Sequence, residues 1–255
     1  LGNDISLIKK FYDLGARYIT LCHTKNNDIC DSSTDAPEHQ GLSEFGRKVV
    51  QEMNRLGIMI DVSHISDESF YQVVAVTKAP IIASHSCARA LCPSPRNLDD
   101  DMLKKLAENN GVIQVCMVPS YVKEIKPDPE REKALHSLRN KYSKFSDLTE
   151  QQWNRVRAER RALDKKYPPT LPTISDFVDH IDYIVRVAGI DQVGIGSDFD
   201  GGGQLQDCQD GSDYGKITQE LLARGYTESE IEKIWGGNLM RVFREVAAVA
   251  ENMRN

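Results

Sequence analysis

The sequence predicts an α/β chain on a parallel sheet. The type is a (β/α)8 TIM-like barrel, incomplete here, with about five strand-helix units. Three observations carry this. Apolar runs rich in Val and Ile, bounded by Gly or Pro, recur as RYITLCH (17–23), IMIDVSH (58–64), PIIASH (80–85), GVIQVCMV (111–118) and QVGIGS (192–197). Runs of this kind mark strands buried on both faces, as in parallel sheets. Helix-patterned segments separate them, and such alternation with right-handed crossovers places helices outside a parallel sheet. Several runs stop at a polar side chain, among them His23, His64, His85 and Asp198. An α/β barrel keeps its chemistry at the C-terminal ends of its strands.

Each element has a local reason. LGNDISLIKKF reads as the cap and first turns of a helix. Ser43 caps a helix with Phe45, Val49, Val50, Met53 and Leu56 on one face, closed by Gly57. Ser66 opens a short helix through Val74, and a further helix near 99–109 stops before Asn110-Gly111. Residues 123–170 are dense in Lys, Arg and Glu and edged by prolines; they read as a solvated helical excursion of one domain, 1–255, and not as a domain of their own. Phe177, Ile181, Ile184, Val185 and Ala188 make another helix stripe. Thr227 with Glu230 is a capping-box pattern, and Asn238 to Met253 is a final amphipathic helix. Met53 and Met240 fit helix stripes and read as core. A closed barrel needs eight strands. The expectation is that three units lie upstream of Leu1, the helical start favouring this over an open doubly wound sheet.

Composition narrows the function classes. The 255 residues carry a net charge of -6, which argues against nucleic acid as a partner. No apolar stretch reaches the roughly 18 residues of a membrane span. Six cysteines form no C-x-x-C pair, and Cys22 and Cys116 read as buried small hydrophobes. The start at Leu1 leaves the compartment open. The phosphate-loop, G-x-S-x-G and H-E-x-x-H motifs are absent, and GIGSDFDGGG is not G-x-G-x-x-G.

The strand ends supply the candidate chemistry. Neutral imidazole is the commonest metal ligand, and neighbouring parallel strands bring their ends together. His64 and His85 are therefore candidate ligands of one metal, each preceded by a serine. Two donors fall short of the three or four that tight zinc takes. His23 repeats the placement, as a ligand or as a group polarising a substrate carbonyl. Arg96 lies in the loop CPSPRN and suits a bidentate grip on a carboxylate, a surface salt bridge being the alternative. Asp198 suits proton transfer beside a metal. Asp200 with Gly201–Gly203 reads as a turn, Asn26, Asn27 and Asp28 as turn formers, and His39, His136 and His180 as structural or solvated.

Taken in order, RYITLCH, GLSEFG, VVQEMNRLGIMIDVSHIS, KAPIIASHS, PRN and VGIGSDFDG resemble the membrane (renal) dipeptidase family of zinc peptidases. The resemblance covers nearly all of the chain and is weakest across 123–170. It implies an amidohydrolase-type (β/α)8 barrel with two zinc ions that hydrolyses dipeptides. By position it implies that His64 and His85 hold one zinc and that His23 contacts the substrate at the scissile carbonyl. It likewise implies that Arg96 holds the substrate's terminal carboxylate and that Asp198 is the catalytic acid/base. The family's His-x-Asp pair and bridging glutamate have no counterpart in this sequence. The expectation is therefore a half-site that binds one zinc or none. Two alternatives remain: another metal-dependent amidohydrolase of the lactonase or phosphotriesterase type, or an inactive truncated dipeptidase homologue. No strand-end lysine of the kind the former use is present. An unpaired barrel edge would also admit a homodimer.

Overall fold

In the computed structural model, which describes residues 1–142 and 148–254, five strands form one parallel sheet. They are β1 (Tyr18–Thr20), β2 (Met59–Asp61), β3 (Ile81–Ser86), β4 (Val112–Val115) and β5 (Val193–Ile195), ordered β1-β2-β3-β4-β5. All five predicted strands form. Four are shorter than their apolar runs, because the chain leaves the ladder before each run ends. Helices alternate with them: α1 (Ser6–Asp13), α2 (Glu44–Leu56), α3 (Asp67–Val76), α4 (Asp100–Glu108), α5 (Pro119–Val122), and, after a second unit, α8 (Ile174–Ala188), α9 (Tyr214–Ala223), α10 (Glu228–Glu232) and α11 (Asn238–Arg254). The chain is thus α/β on a parallel sheet, as the sequence predicts.

The helix boundaries follow their caps. The Ser43 hydroxyl accepts the Gly46 N–H, and Gly57 ends α2 at φ 85°. The Ser66, Asp99 and Thr227 side chains cap α3, α4 and α10 in the same way. Helix α9 escaped the sequence reading, because Asp213 makes no side-chain cap bond and only Ile217 and Leu221 are buried. The proline-started single turn of α5 escaped it too.

The core lies between the sheet and α2, α3, α4 and α8. Phe70, Phe177, Leu21, Met53, Ile60 and Ile113 are wholly buried in it. A smaller cluster sits where α11 sets Val242 and Val246 against Met59, Ala79, Ile82 and Val112. Met240 corrects the sequence reading: it is 44% exposed. The buried stripe of α11 is Val242, Val246 and Ala250, and a residue two positions before Val242 lies about 200° round the helix.

Residues Ile125–Leu171 form a second compact unit. It is a helical hairpin of α6 (Pro129–Lys141) and α7 (Glu150–Lys166). Asp128 caps α6 ahead of Pro129, and Thr149 and Gln152 form a capping box on α7. Arg131 ties the pair, donating to the Tyr167 carbonyl and pairing with Asp164 at 2.7 Å. All six cysteines are free and buried. Among the described residues no helix is long and apolar enough to cross a membrane.

Candidate active site

Sheet register aligns three histidines. Thr20 pairs with Asp61 across β1 and β2, and Asp61 with Ile82 across β2 and β3. His23, His64 and His85 each lie three residues beyond these partners, so their side chains emerge side by side. The His23 and His64 rings have centroids 4.2 Å apart, and those of His64 and His85 are 4.8 Å apart. The Nε2 atoms of His64 and His85 face each other at 2.8 Å. His64 is buried and sits at φ 75°, a conformation rare outside glycine. That backbone turns its ring toward His85 instead of continuing the strand.

Arg96 comes from the loop between β3 and α4 and is 5% exposed. Its Nη2 donates to the His85 carbonyl at 3.2 Å, its guanidinium lies 5.3 Å from the Tyr121 ring centre, and its Nε has no partner. No carboxylate neutralises it among the described residues. The surface salt bridge is therefore not what this arginine makes.

Asp198 follows β5 at φ 67°, half-buried, with an oxygen 3.9 Å from Cys116 Sγ. The chain folds back over it through Gly201 and Gly203, where a Cβ would collide with the Asp198 carboxylate or backbone. The Asp200–Gly203 stretch is the turn that the sequence predicts.

The local field keeps the imidazoles neutral. Burial, then the Arg96 charge, then His85 and His23 push the His64 pKa down to about 3. Burial also lowers His85, against the opposing fields of Asp61 and Asp198. Neutral imidazole is the ligating form. Two neutral nitrogens converging on one point fit a borderline-soft divalent cation. About 2.1 Å bonds at tetrahedral angles set such nitrogens roughly 3.4 Å apart, so the rings need part by only about half an ångström. Among the described residues no group of three His, Cys, Asp or Glu side chains is placed to hold a metal ion. The donor set is two imidazoles, half a shell.

A polar network behind these rings has no counterpart in the sequence reading. Asp61 is wholly buried. One of its oxygens accepts the Ser63 and Ser84 N–H groups at 3.0 and 2.9 Å. The other accepts the Thr20 and Ser84 hydroxyls, both at 2.6 Å. The sequence hint is the serine before His64 and before His85. Elsewhere, Asp31 accepts the Glu38, His39 and Gly41 N–H groups and folds the loop that follows His23. Asn26 and Asn27 side chains accept backbone N–H groups in that loop, as turn formers do. His180 is structural, held between the Ala88 N–H and the Val122 carbonyl. His39 rests on the Asn27 carbonyl, and His136 is exposed.

Comparison with known proteins bears on this geometry. The family model described as membrane dipeptidase, peptidase family M19, matches residues 1–255. The chain belongs to the membrane dipeptidase family. It is 36% identical over 256 residues to dipeptidase tcpJ of Claviceps purpurea, covering all of this chain and 50% of that one. It is 35% identical over 260 residues to human dipeptidase 3, covering all of this chain and 44% of that one. It thus spans about half the length of these curated relatives. Among solved structures it resembles the probable dipeptidase PvdM of Pseudomonas aeruginosa, with TM-score 0.81, 34% identity, and 98% and 67% of the two chains covered. A metallo peptidase of Rhodobacter sphaeroides, liganded with a phosphinate mimic of the dipeptide L-Ala-D-Ala, gives TM-score 0.75 at 25% identity, with 96% and 60% covered.

Proposed function

We propose that this chain contributes half of the active site of a zinc-dependent dipeptidase. The observation that carries the reading is Arg96, a buried guanidinium with no carboxylate partner among the described residues, beside paired neutral imidazoles. Buried charges are normally paired. A ligand that brings a carboxylate completes this one. Membership of the dipeptidase family and the dipeptide mimic held by the Rhodobacter relative support that substrate class.

His64 and His85 would hold a zinc ion through their Nε2 atoms. When bound, zinc polarises a carbonyl and makes water a nucleophile near neutral pH. The chain's own residues do the rest. Arg96 grips the substrate's C-terminal carboxylate with two N–H groups and so limits the substrate to short peptides. His23, exposed beside His64, donates a ring N–H to the carbonyl oxygen as it gains charge. Asp198 accepts the proton of the attacking water on a carboxylate oxygen and delivers it to the leaving amine. The family resemblance implies a His-x-Asp pair and a bridging glutamate that have no counterpart in this chain, so we assign hydrolysis to a protein carrying those residues as well.

The test is hydrolysis of a panel with added zinc: a dipeptide, its C-terminal amide, a lactone and a phosphotriester. The chain is assayed alone and extended to the full length of its relatives. Hydrolysis of the dipeptide by the extended protein, with the amide a poor substrate, is the expected result. Preference for the lactone or phosphotriester favours the other amidohydrolase reading. Full activity of the 255-residue chain alone contradicts the half-site.

A further inference from the structure

We propose that Asp61 and Ser84 are positioning residues for His85, fixing its tautomer so that the Nε2 lone pair faces the site. The proposal rests on the reading of His64 and His85 as ligands.

The argument is an accounting of hydrogens. Asp61 as a carboxylate only accepts. At the 2.6 Å contact between its Oδ2 and Ser84 Oγ, the serine is therefore the donor. Ser84 has one hydroxyl hydrogen, and this contact uses it. Toward its other neighbours, His85 Nδ1 at 2.7 Å and, at the limit of hydrogen-bond distance, Ser63 Oγ at 3.5 Å, Ser84 Oγ offers only lone pairs. Nδ1 must therefore carry the hydrogen and donate. A neutral imidazole protonated at Nδ1 has its lone pair at Nε2. That is the atom facing His64.

The same carboxylate also fixes the ring's attachment. Asp61 holds the Ser63 and Ser84 N–H groups, and Ser63 Oγ accepts the His85 N–H at 3.0 Å. The backbone and the tautomer of His85 thus both refer to one wholly buried anion on the neighbouring strand. His64 lacks any such support: its Nδ1 is buried without a partner. In the metal-free protein, His64 Nε2–H donates to His85 Nε2. His85 is the preorganised ligand and His64 the adjustable one. Partners behind a ligating histidine orient it and raise its basicity, and their loss typically weakens metal affinity about 10- to 100-fold.

Thr20 supplies the control. Its hydroxyl donates to the same Asp61 oxygen at 2.6 Å and does not touch His85. A merely structural Asp61 would suffer equally from Ser84→Ala and Thr20→Val. Long-range 1H–15N NMR of the metal-free protein reads the His85 tautomer without any variant. The expected result is Nδ1–H in the wild type and loss of that preference in Ser84→Ala but not in Thr20→Val. In Co2+ titrations followed by visible absorption, Ser84→Ala should bind about 10- to 100-fold more weakly and Thr20→Val within about threefold of wild type. An Nε2–H tautomer in the wild type, or equal effects of the two variants, overturns the proposal. An Nδ1–H tautomer with no Co2+ binding in the wild type overturns instead the ligand reading on which it rests.

Discussion

Arg96 stores the clearest residue-scale signal. A guanidinium 5% exposed with one carbonyl partner is held ready for an anion. Arg96→Ala should raise KM about 10- to 150-fold with a smaller change in kcat, since a hydrogen bond to a charged group contributes roughly 1.5–3 kcal/mol. Arg96→Lys should recover little of this, because a single ammonium cannot make the forked contact. Steady-state kinetics of the extended protein check both, and an unchanged KM removes the carboxylate grip. His180 gives a pH prediction. Burial lowers its pKa below the ordinary value near 6.5. As pH falls past 6.5 the unfolded chain takes up the proton first, so its stabilising effect is complete above that value and is lost on acidification. His64 and His85 act with the same sign in the metal-free protein. Denaturant midpoints should therefore fall between pH 7 and pH 5, and less steeply in His180→Gln. Of these residues His64, His85 and Arg96 stand out in the sequence, because each ends an apolar run or lies in a proline-bounded loop. Asp61 and Ser84 do not, because their hydrogen bonds depend on which strand lies alongside and in which register.

At the scale of elements, capping chemistry was readable and strand ends were not. Ser43, Ser66 and Thr227 declare α2, α3 and α10 through a local pattern within four residues. Ser43→Ala should cost about 1 kcal/mol, lowering Tm by roughly 2–4 °C. Gly57→Ala should cost at least as much, since φ is 85° there and the new Cβ would press on Ala250 in α11. Thermal unfolding measures both, and an unchanged Tm would contradict the cap assignments. The strands β1, β2, β4 and β5 stop before their apolar runs do. Beyond the ends of β2 and β5 the chain turns at His64 and Asp198, both at positive φ; Asp and His are enriched in that conformation but adopt it too seldom for the residue type alone to announce the turn. Helix α9 lacked a cap signal, and Met240 misled because hydrophobicity alone does not fix which side of a helix is inside.

For the whole molecule, alternation of apolar runs and helical stripes was enough to predict a parallel α/β sheet of five strands; that they lie in sequential order is a finding of the structure. The alternation could not show that Ile125–Leu171 would cohere as a unit of its own, because that depends on contacts such as that of Arg131 with Asp164, 33 residues apart in sequence. β1 and β5 each have one neighbour in the sheet. A strand edge with free N–H and C=O groups invites pairing, and we expect concentration-dependent homodimerisation of this chain in sedimentation velocity; a constant monomer would remove it. The account stands or falls on His64 and His85 sharing one cation. Calorimetric titration of Zn2+ into the chelator-stripped protein tests this most directly. The account predicts one zinc per chain, lost in His64→Ala and in His85→Ala and kept in His180→Gln. Zinc binding undiminished in the double variant His64→Ala/His85→Ala, or none in the wild type, would contradict it.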